Sequence, residues 1–194
     1  MIYRIVASTA VALAATSLTG LTACAQDVPV AQQLTQAVTP LPEPLQAGAA
    51  VMGYRGGKLV SLREGTNAMI CLADDPTRAG FHAACYHQDL EPFMARGRAL
   101  REVGHERPAV DSARAAEIEA GTLAMPDGPR ALYSLSSDDE FNLTTGSAPN
   151  TSGLHVIYMP YATEALTGIS TAPARDRPWL MFPGKPWAHV MINR

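Results

Sequence analysis

The amino-acid sequence predicts an α+β domain, with a mainly antiparallel sheet of about five or six strands and two helices packed on one face of the sheet. Short apolar runs separated by glycine-containing turns occur near both ends of residues 48–194. Between them the spacing of apolar residues changes from the period of a strand to the period of a helix. About 145 residues suffice for one domain with a complete hydrophobic core, and we find no internal repeat.

The first part of this domain is typical of a β-meander. Apolar runs at 49–54 and 58–63 flank a Gly-Gly pair at 56–57, and glycine supplies the positive φ that a hairpin turn needs. A second turn at 64–67 leads into a third run at 68–73. We expect three antiparallel strands here.

Two helices are expected in the middle of the domain. Apolar residues spaced by three and four predict the first at about 90–103, with Asp89 as its N-cap. The second, at 109–120, is rich in alanine and glutamate and stops at Gly121, a favourable residue after a helix C-terminus. Its apolar stripe is thin, so we expect it to lie on the surface.

The C-terminal part returns to strands. They are predicted at 131–135, 154–161 and 187–192, and the last two carry apolar residues on both faces, as expected for strands that are buried on each side. A polar loop at 136–153 separates the first two strands, and a Pro-Gly turn joins two tryptophan-containing segments near the end.

Residues 1–24 are predicted to form a lipoprotein-type signal peptide. Arg4 precedes an uncharged run of small and apolar residues at 5–20, which is too short and too weakly apolar to remain in a membrane as a span. The following Leu-Thr-Ala-Cys resembles a bacterial lipobox, in which Cys24 is acylated and becomes the new N-terminus. Ordinary secretion, with cleavage at an Ala-x-Ala site that includes Cys24, is the alternative.

Acyl chains on Cys24 would anchor the protein to a membrane at the periplasmic side of the cell envelope. By similarity to bacterial lipoprotein sorting, alanine at position 25 implies the outer membrane; without lipidation the protein would be secreted to the periplasm. Prolines at 29, 40, 42 and 44, together with the lack of a sustained apolar period, predict a proline-rich tether over 25–47. The single α+β domain then occupies 48–194.

The charge balance argues against nucleic acid as a partner. The chain has 15 Lys and Arg against 18 Asp and Glu, and loss of Arg4 with the signal peptide changes the net charge from −3 to −4. Binding to a phosphate backbone requires a clustered basic surface, and the sequence contains no basic run.

Removal or acylation of Cys24 leaves two cysteines, Cys71 and Cys85. In an oxidising periplasm an even number of thiols favours a disulfide, which here would close a loop of about 15 residues. The alternative is a metal site formed by these cysteines with His82 and His87, but no C-x-x-C pair anchors such a set. We therefore predict a disulfide and no resident cofactor.

Ionisable residues gather at the entrance of the first helix. His87, Asp89 and Glu91 lie there, and a meeting with His189 from the last strand would create a cluster of imidazole and carboxylate groups. Such a cluster can bind a divalent transition metal or perform general acid/base chemistry. These four are the candidate catalytic residues, and His82 is a further candidate metal ligand beside His87 and His189. In the alternative interpretation each histidine is a hydrogen-bonded structural residue.

Three arginines, at positions 96, 98 and 101, lie on the first predicted helix. Pairing with Glu91 or Glu102 on a solvated helix face explains them. A small anion site that also uses Arg63 is the functional alternative.

Four segments, TNAMICLADD, ACYHQDLEPFMARGR, ALYSL and PWLMFPGKPWAHVMI, together resemble a family of exported bacterial proteins of unknown activity. The resemblance covers most of residues 48–194. It implies export and a single compact domain, and it implies no activity, cofactor or catalytic residue.

Two functional hypotheses follow from the sequence. The first is a non-enzymatic exported lipoprotein domain that binds a small ligand or another envelope protein. The second is a metal-binding protein or hydrolase-like enzyme that uses the cluster at the helix entrance. The sequence has neither a G-x-S-x-G nucleophile motif nor a phosphate-loop motif, which favours the first hypothesis.

Overall fold

A computed structural model describes residues 28–194, and it has one mixed sheet of eight strands with helices on both faces. The predicted α+β class is confirmed, with more strands than expected. The strands are β1 Ala50–Arg55, β2 Lys58–Arg63, β3 Met69–Leu72, β4 Phe81–His87, β5 Arg130–Ser137, β6 Ser152–Tyr158, β7 Trp179–Met181 and β8 His189–Asn193. The helices are α1 Val30–Val38, α2 Glu43–Gln46, α3 Glu91–Glu102, α4 Arg107–Glu119 and α5 Glu164–Thr167. The order of strands across the sheet is β2-β1-β3-β4-β5-β6-β8-β7.

The first three strands form as predicted, but their arrangement differs from a meander. β2 pairs antiparallel with β1, whereas β3 pairs with the other edge of β1 and runs parallel to it. The chain after β2 therefore crosses the start of β1. Glycine is required at position 65, where the two segments cross, because a methyl group there would lie only 2.7 Å from the backbone nitrogen of Ala50. The amides of Thr66 and Asn67 both donate to the Gly48 carbonyl, at 2.7 and 3.0 Å, and fix the crossing.

A strand also forms inside the segment between the two cysteines, where a loop was expected. β4 alternates buried Phe81, Ala83 and Cys85 with more accessible neighbours, and it pairs with both β3 and β5. Its sequence, FHAACYH, contains no β-branched residue. Phe81 and Tyr86 are its two residues of high strand propensity, so its compositional signal is weak and the strand depends on its neighbours in the sheet.

The two predicted helices are confirmed as α3 and α4. They pack on one face of the sheet around Tyr86, Leu90, Phe93 and Trp187. Only Val110 is fully buried on α4, as the thin apolar stripe predicts. After α4 the chain turns at Gly121, whose φ of 71° is the left-handed conformation that glycine favours.

The proline-rich tether predicted over 25–47 is wrong for the described residues of that segment. α1 packs against β1, β3 and β4 on the face opposite α3 and α4. Leu34, Ala37 and Val38 of α1 and Leu41 just after it are buried together and follow the spacing i, i+3, i+4 and i+7. Pro29 and Pro42 directly precede α1 and α2, and Pro44 lies in the first turn of α2, where a missing amide costs no helical hydrogen bond.

Three elements cover the face of the sheet that carries α1. α1 lies over β1, β3 and β4. The loop 138–150 covers Phe81 and Ala83, and the segment 159–170 covers the end of the sheet formed by β7 and β8. A gap remains between α1 and the loop 138–150, above β5 and β6. Within the described residues, no helix has the length and apolar character needed to cross a bilayer.

Candidate functional site

The predicted disulfide is confirmed. Cys71 and Cys85 occupy directly opposite positions of β3 and β4, and both are fully buried beneath α1. The bond therefore joins two adjacent strands of the sheet rather than the ends of a loop. Both sulfur atoms are consumed by the bond, so neither is a metal ligand in this state.

The carboxylates at the entrance of α3 are both paired with arginines. Glu91 accepts hydrogen bonds from the Tyr86 hydroxyl and from Arg98, each at 2.5 Å. Asp89 accepts from Arg130 Nε at 2.6 Å. Burial raises the pKa of the Tyr86 phenol, which keeps the phenol protonated and able to donate. These pairs connect β4, β5 and α3, and they give the carboxylates a structural role.

His87 also has a local structural role. Its Nδ1 accepts a hydrogen bond from the Asp89 amide at 3.2 Å and caps the short 3₁₀ turn Gln88–Leu90 that precedes α3. The prediction of Asp89 as the N-cap of α3 is therefore wrong. Asp89 lies inside the 3₁₀ turn instead, and Leu90 precedes α3 without a side-chain cap.

His189 does not meet the residues at the helix entrance. Tyr158 and His189 are paired across β6 and β8, on the face that carries α3 and α4. His87 continues the other face, the one that Cys85 shares with α1. β5 and β6 also separate the two strands, and three strand spacings amount to about 14 Å. The clustered site that the second hypothesis requires does not form.

The remaining metal candidate is no better placed. His82 is exposed on β4. Among residues 28–194 there is no group of three or more histidine, cysteine, aspartate or glutamate side chains that could hold a metal ion. Cys24, the predicted lipidation site, lies outside the described residues.

His189 is a buried, hydrogen-bonded residue, as the structural interpretation predicts. Only 8% of its surface is exposed, its Nδ1 lies 2.8 Å from the Trp187 carbonyl, and its ring packs against Tyr158 and Phe182. Burial lowers the pKa of His189 below its usual 6.5, Arg107 lowers it further, and the hydrogen bond to Trp187 opposes both effects.

We expect His189 to make the stability of the protein depend on pH. Because the folded-state pKa is lowered, the unfolded chain binds a proton that the folded chain does not bind between that pKa and about pH 6.5. The free energy of unfolding should therefore fall as the pH drops through this window. Urea unfolding at about pH 7 and about pH 5 measures the effect. The fall should be smaller in His189→Asn than in the natural protein; equal falls would contradict this role.

The gap beside α1 forms a concave cleft on the surface of the described residues. Two adjoining pockets of about 730 and 390 Å³ share Thr39, Leu135 and Thr151 and form one open cleft. One wall comes from the end of α1 and from α2, and the other from residues 146–151. Apolar residues of the wider part are Leu34, Val38 and Leu135. The narrower part contains Ser134, Thr151, His155 and Arg194.

Several polar side chains of the narrower part have no hydrogen-bonding partner among the described residues. In residues 28–194 the side chains of Ser134, Thr151 and Arg194 form no hydrogen bond or ion pair, and the described contact of the His155 ring is an edge-on packing against Tyr133 at 5.1 Å. The backbone amide of Arg194 donates to the Gly153 carbonyl at 2.9 Å, which places this arginine beside the floor of the cleft. Arg194, His155 and Thr151 thus present one cation, one imidazole and one hydroxyl to a common space, whereas the side chain of Ser134, which pairs with Leu154, lies on the face of the sheet that carries α3 and α4.

Sequence reasoning missed this cleft. His155 falls in the strand predicted at 154–161 to be buried on each side, and no pattern in the sequence points to Arg194. Their proximity depends on the pairing of β6 with β8, in which His155 lies opposite Ile192. No spacing rule in the sequence specifies that pairing.

The fold and the cleft define an α+β domain with a mixed eight-stranded sheet and an open, ligand-sized cleft on one face. Comparison with known proteins adds nothing more specific, since no protein-family model, curated protein or solved structure matches the chain.

Proposed function

We propose that the protein is an exported cell-envelope lipoprotein domain that binds a small organic anion in the cleft beside α1. The proposal of export and lipidation is supported by the lipobox at Cys24 and by the disulfide between Cys71 and Cys85, a bond typical of oxidising compartments. Anchoring at the outer membrane follows from alanine at position 25. Mass spectrometry of the mature N-terminus tests lipidation. A mature chain that begins after Cys24, and so has lost this cysteine, would contradict anchoring.

The observation that carries the binding proposal is the set of unpartnered polar groups in the cleft. A ligand that reaches Arg194, His155 and Thr151 replaces water on groups that have no hydrogen-bond or ion-pair partner among residues 28–194. A guanidinium group favours a carboxylate, sulfonate or phosphate. The wider part of the cleft is lined by Leu34, Val38 and Leu135 and suits an apolar portion of the same ligand.

The shape of the cleft favours a small ligand over another envelope protein as the occupant. Small-molecule sites are concave, with volumes of about 300–1,000 Å³, and combine apolar walls with a few converging polar groups. The cleft matches this description, with pockets of about 730 and 390 Å³.

Anilinonaphthalene sulfonate is a suitable probe because it combines an aromatic body with an anionic group. We expect its fluorescence to increase on titration with the folded protein. The Kd should rise about tenfold in Arg194→Gln, because a hydrogen bond to a charged group contributes about 1.5–3 kcal/mol.

Arg177→Gln is the matched control. Arg177 is exposed, pairs with Asp176 at 3.2 Å and does not line the cleft, so its loss should leave the Kd unchanged. Circular dichroism must show that both variants keep the native fold. Equal Kd values for the natural protein and Arg194→Gln would refute the cleft as the binding site.

A further inference from the structure

The arginines on α3 and α4 are not all neutralised by acidic partners. Arg96 forms a bidentate pair with Glu117, with distances of 2.6–2.9 Å, and Arg98 binds Glu91. Arg63, which the sequence suggested as part of an anion site, donates to the backbone carbonyls of Ala49 and Gln46 and is thereby occupied elsewhere. The guanidinium group of Arg101, in contrast, has no hydrogen-bond or ion-pair partner within residues 28–194.

Arg101 lies beside Arg114 at the place where the two helices pass each other. A methyl group on Gly97 would lie 2.8 Å from Arg114 Nη1 and 3.4 Å from Arg101 Nη1. Both guanidinium groups therefore occupy the same small space over this glycine. A larger residue than glycine at position 97 would displace them, so the backbone leaves room for two adjacent cations.

Arg114 is held in place by its surroundings. Its guanidinium lies 3.8 Å above the Phe93 ring, Nη2 contacts Asp111 at 3.0 Å, and Nη1 donates to the Phe93 carbonyl at 3.2 Å. Its Nε is buried without an acceptor among the described residues. The protein thus fixes this cation firmly while leaving one of its donors unsatisfied.

The local charge is strongly positive. Arg107 also approaches, 3.7 Å from the same carboxylate of Asp111 that Arg114 contacts, so two arginines share one acidic residue and Arg101 beside them has none. Partial burial lowers the pKa of Arg101, and the positive charges of Arg114, Arg98 and Arg107 lower it further, while Asp111 opposes them. Like charges held together in this way repel each other unless an anion lies between them.

We propose that the arginines at the crossing of α3 and α4 bind a phosphate group on their solvent-exposed side, with the exposed Arg101 as its principal ligand and Arg107 and Arg114 as flanking positive charges. Guanidinium groups form paired hydrogen bonds with phosphate oxygens, and a dianion compensates the excess positive charge better than chloride does. This site lies on the face of the sheet opposite the cleft and does not depend on the function proposed for the cleft. The phosphate is either a free phosphate or phosphate ester, or the headgroup of an anionic lipid.

Inorganic phosphate is the probe for this site. We expect titration with phosphate at constant ionic strength to shift the Nε–Hε resonance of Arg101 in ¹⁵N–¹H spectra and to saturate, whereas chloride at the same ionic strength should not reproduce the shift. Arg101→Gln should weaken phosphate binding about tenfold, the loss expected for one charge-assisted hydrogen bond.

The control variant is Arg175→Gln. Arg175 is exposed and has no partner within the described part of the chain, so this change removes the same charge away from the site. Arg101→Gln should also unfold at an equal or higher urea concentration in phosphate-free buffer, because it removes repulsion between arginines. If Arg101 instead stabilised the fold, Arg101→Gln would unfold at a lower urea concentration than the natural protein. Phosphate affinity that is unchanged in Arg101→Gln, equally reduced in both variants, or undetectable in the natural protein would overturn the proposal.

Vesicles distinguish the two sources of phosphate. The chain from residue 25 onward contains the whole described core and lacks the proposed lipidation site, so acyl chains cannot drive binding. Co-sedimentation with phosphatidylglycerol vesicles but not phosphatidylcholine vesicles, lost in Arg101→Gln, would support an anionic lipid headgroup. Phosphate binding without vesicle binding would support a soluble phosphate or phosphate ester.

Discussion

Replacement of Gln33 by alanine is expected to lower the free energy of unfolding by about 2–4 kcal/mol, since a buried backbone group left unpaired costs about 1–3 kcal/mol. The side chain of Gln33 is 1% exposed. Its Oε1 accepts from the Tyr54 amide at 2.6 Å, and its Nε2 donates to the Tyr54 carbonyl at 2.9 Å and to the Val28 carbonyl at 2.7 Å.

These bonds complete the edge of β1 where no strand is available to do so. β3 pairs with β1 only from Ala50 to Met52, so Tyr54 lies beyond the paired region. The glutamine amide takes the place of the missing strand. Gly53 permits this close approach, because a methyl group there would lie 2.3 Å from Gln33 Oε1.

Gln32→Ala provides a matched control on the same helix. Gln32 is next to Gln33 on α1, and its side chain forms no hydrogen bond within residues 28–194. Urea unfolding should show a change of a few tenths of a kcal/mol for Gln32→Ala, typical of a surface position. If the two alanine variants unfold at the same urea concentration, the amide of Gln33 does not substitute for a strand.

The second large effect is expected on removal of the disulfide. The double variant Cys71→Ala/Cys85→Ala should be less stable than the natural protein by about 3 kcal/mol, the value for a closed loop of about 15 residues. The bond has a sequence separation of 14. Alanine places no polar atom in this fully buried position, so the loss reports the missing cross-link together with a small loss of packing.

Reducing agent supplies the control for this prediction. It should lower the urea midpoint of the natural protein toward that of the double variant and leave the double variant unchanged. A natural protein whose midpoint is insensitive to complete reduction, with free thiols verified by alkylation, would contradict a stabilising role for the bond.

The sequence predicts elements well where local pattern and tertiary environment agree. α3 and α4 have a helical apolar period and clear ends, and the hairpin of β1 and β2 has its glycine turn. The helix α1 was missed although Leu34, Ala37, Val38 and Leu41 have the correct spacing. The nearby prolines predict an extended tether, yet proline at a helix boundary is compatible with the helix.

The parts that could not be predicted depend on contacts distant in sequence. In the sequence, Gly65 resembles an ordinary turn residue. Its role in allowing the chain to cross β1 is recognisable only once the parallel pairing of β3 with β1 is known. The cluster at the helix entrance failed for a related reason. His87 and His189 both lie on strands, but the face that each occupies is set by registers across four strands.

The docking of α1 onto the sheet has a consequence for how far the protein can reach from a membrane. If Cys24 carries acyl chains, only five residues separate it from Val30, the first residue of the helix, so the two are six residue steps apart. A fully extended chain of that length spans about 20 Å. This short connection would hold the folded domain close to the lipid headgroups, so a ligand of the cleft would have to bind near the bilayer surface.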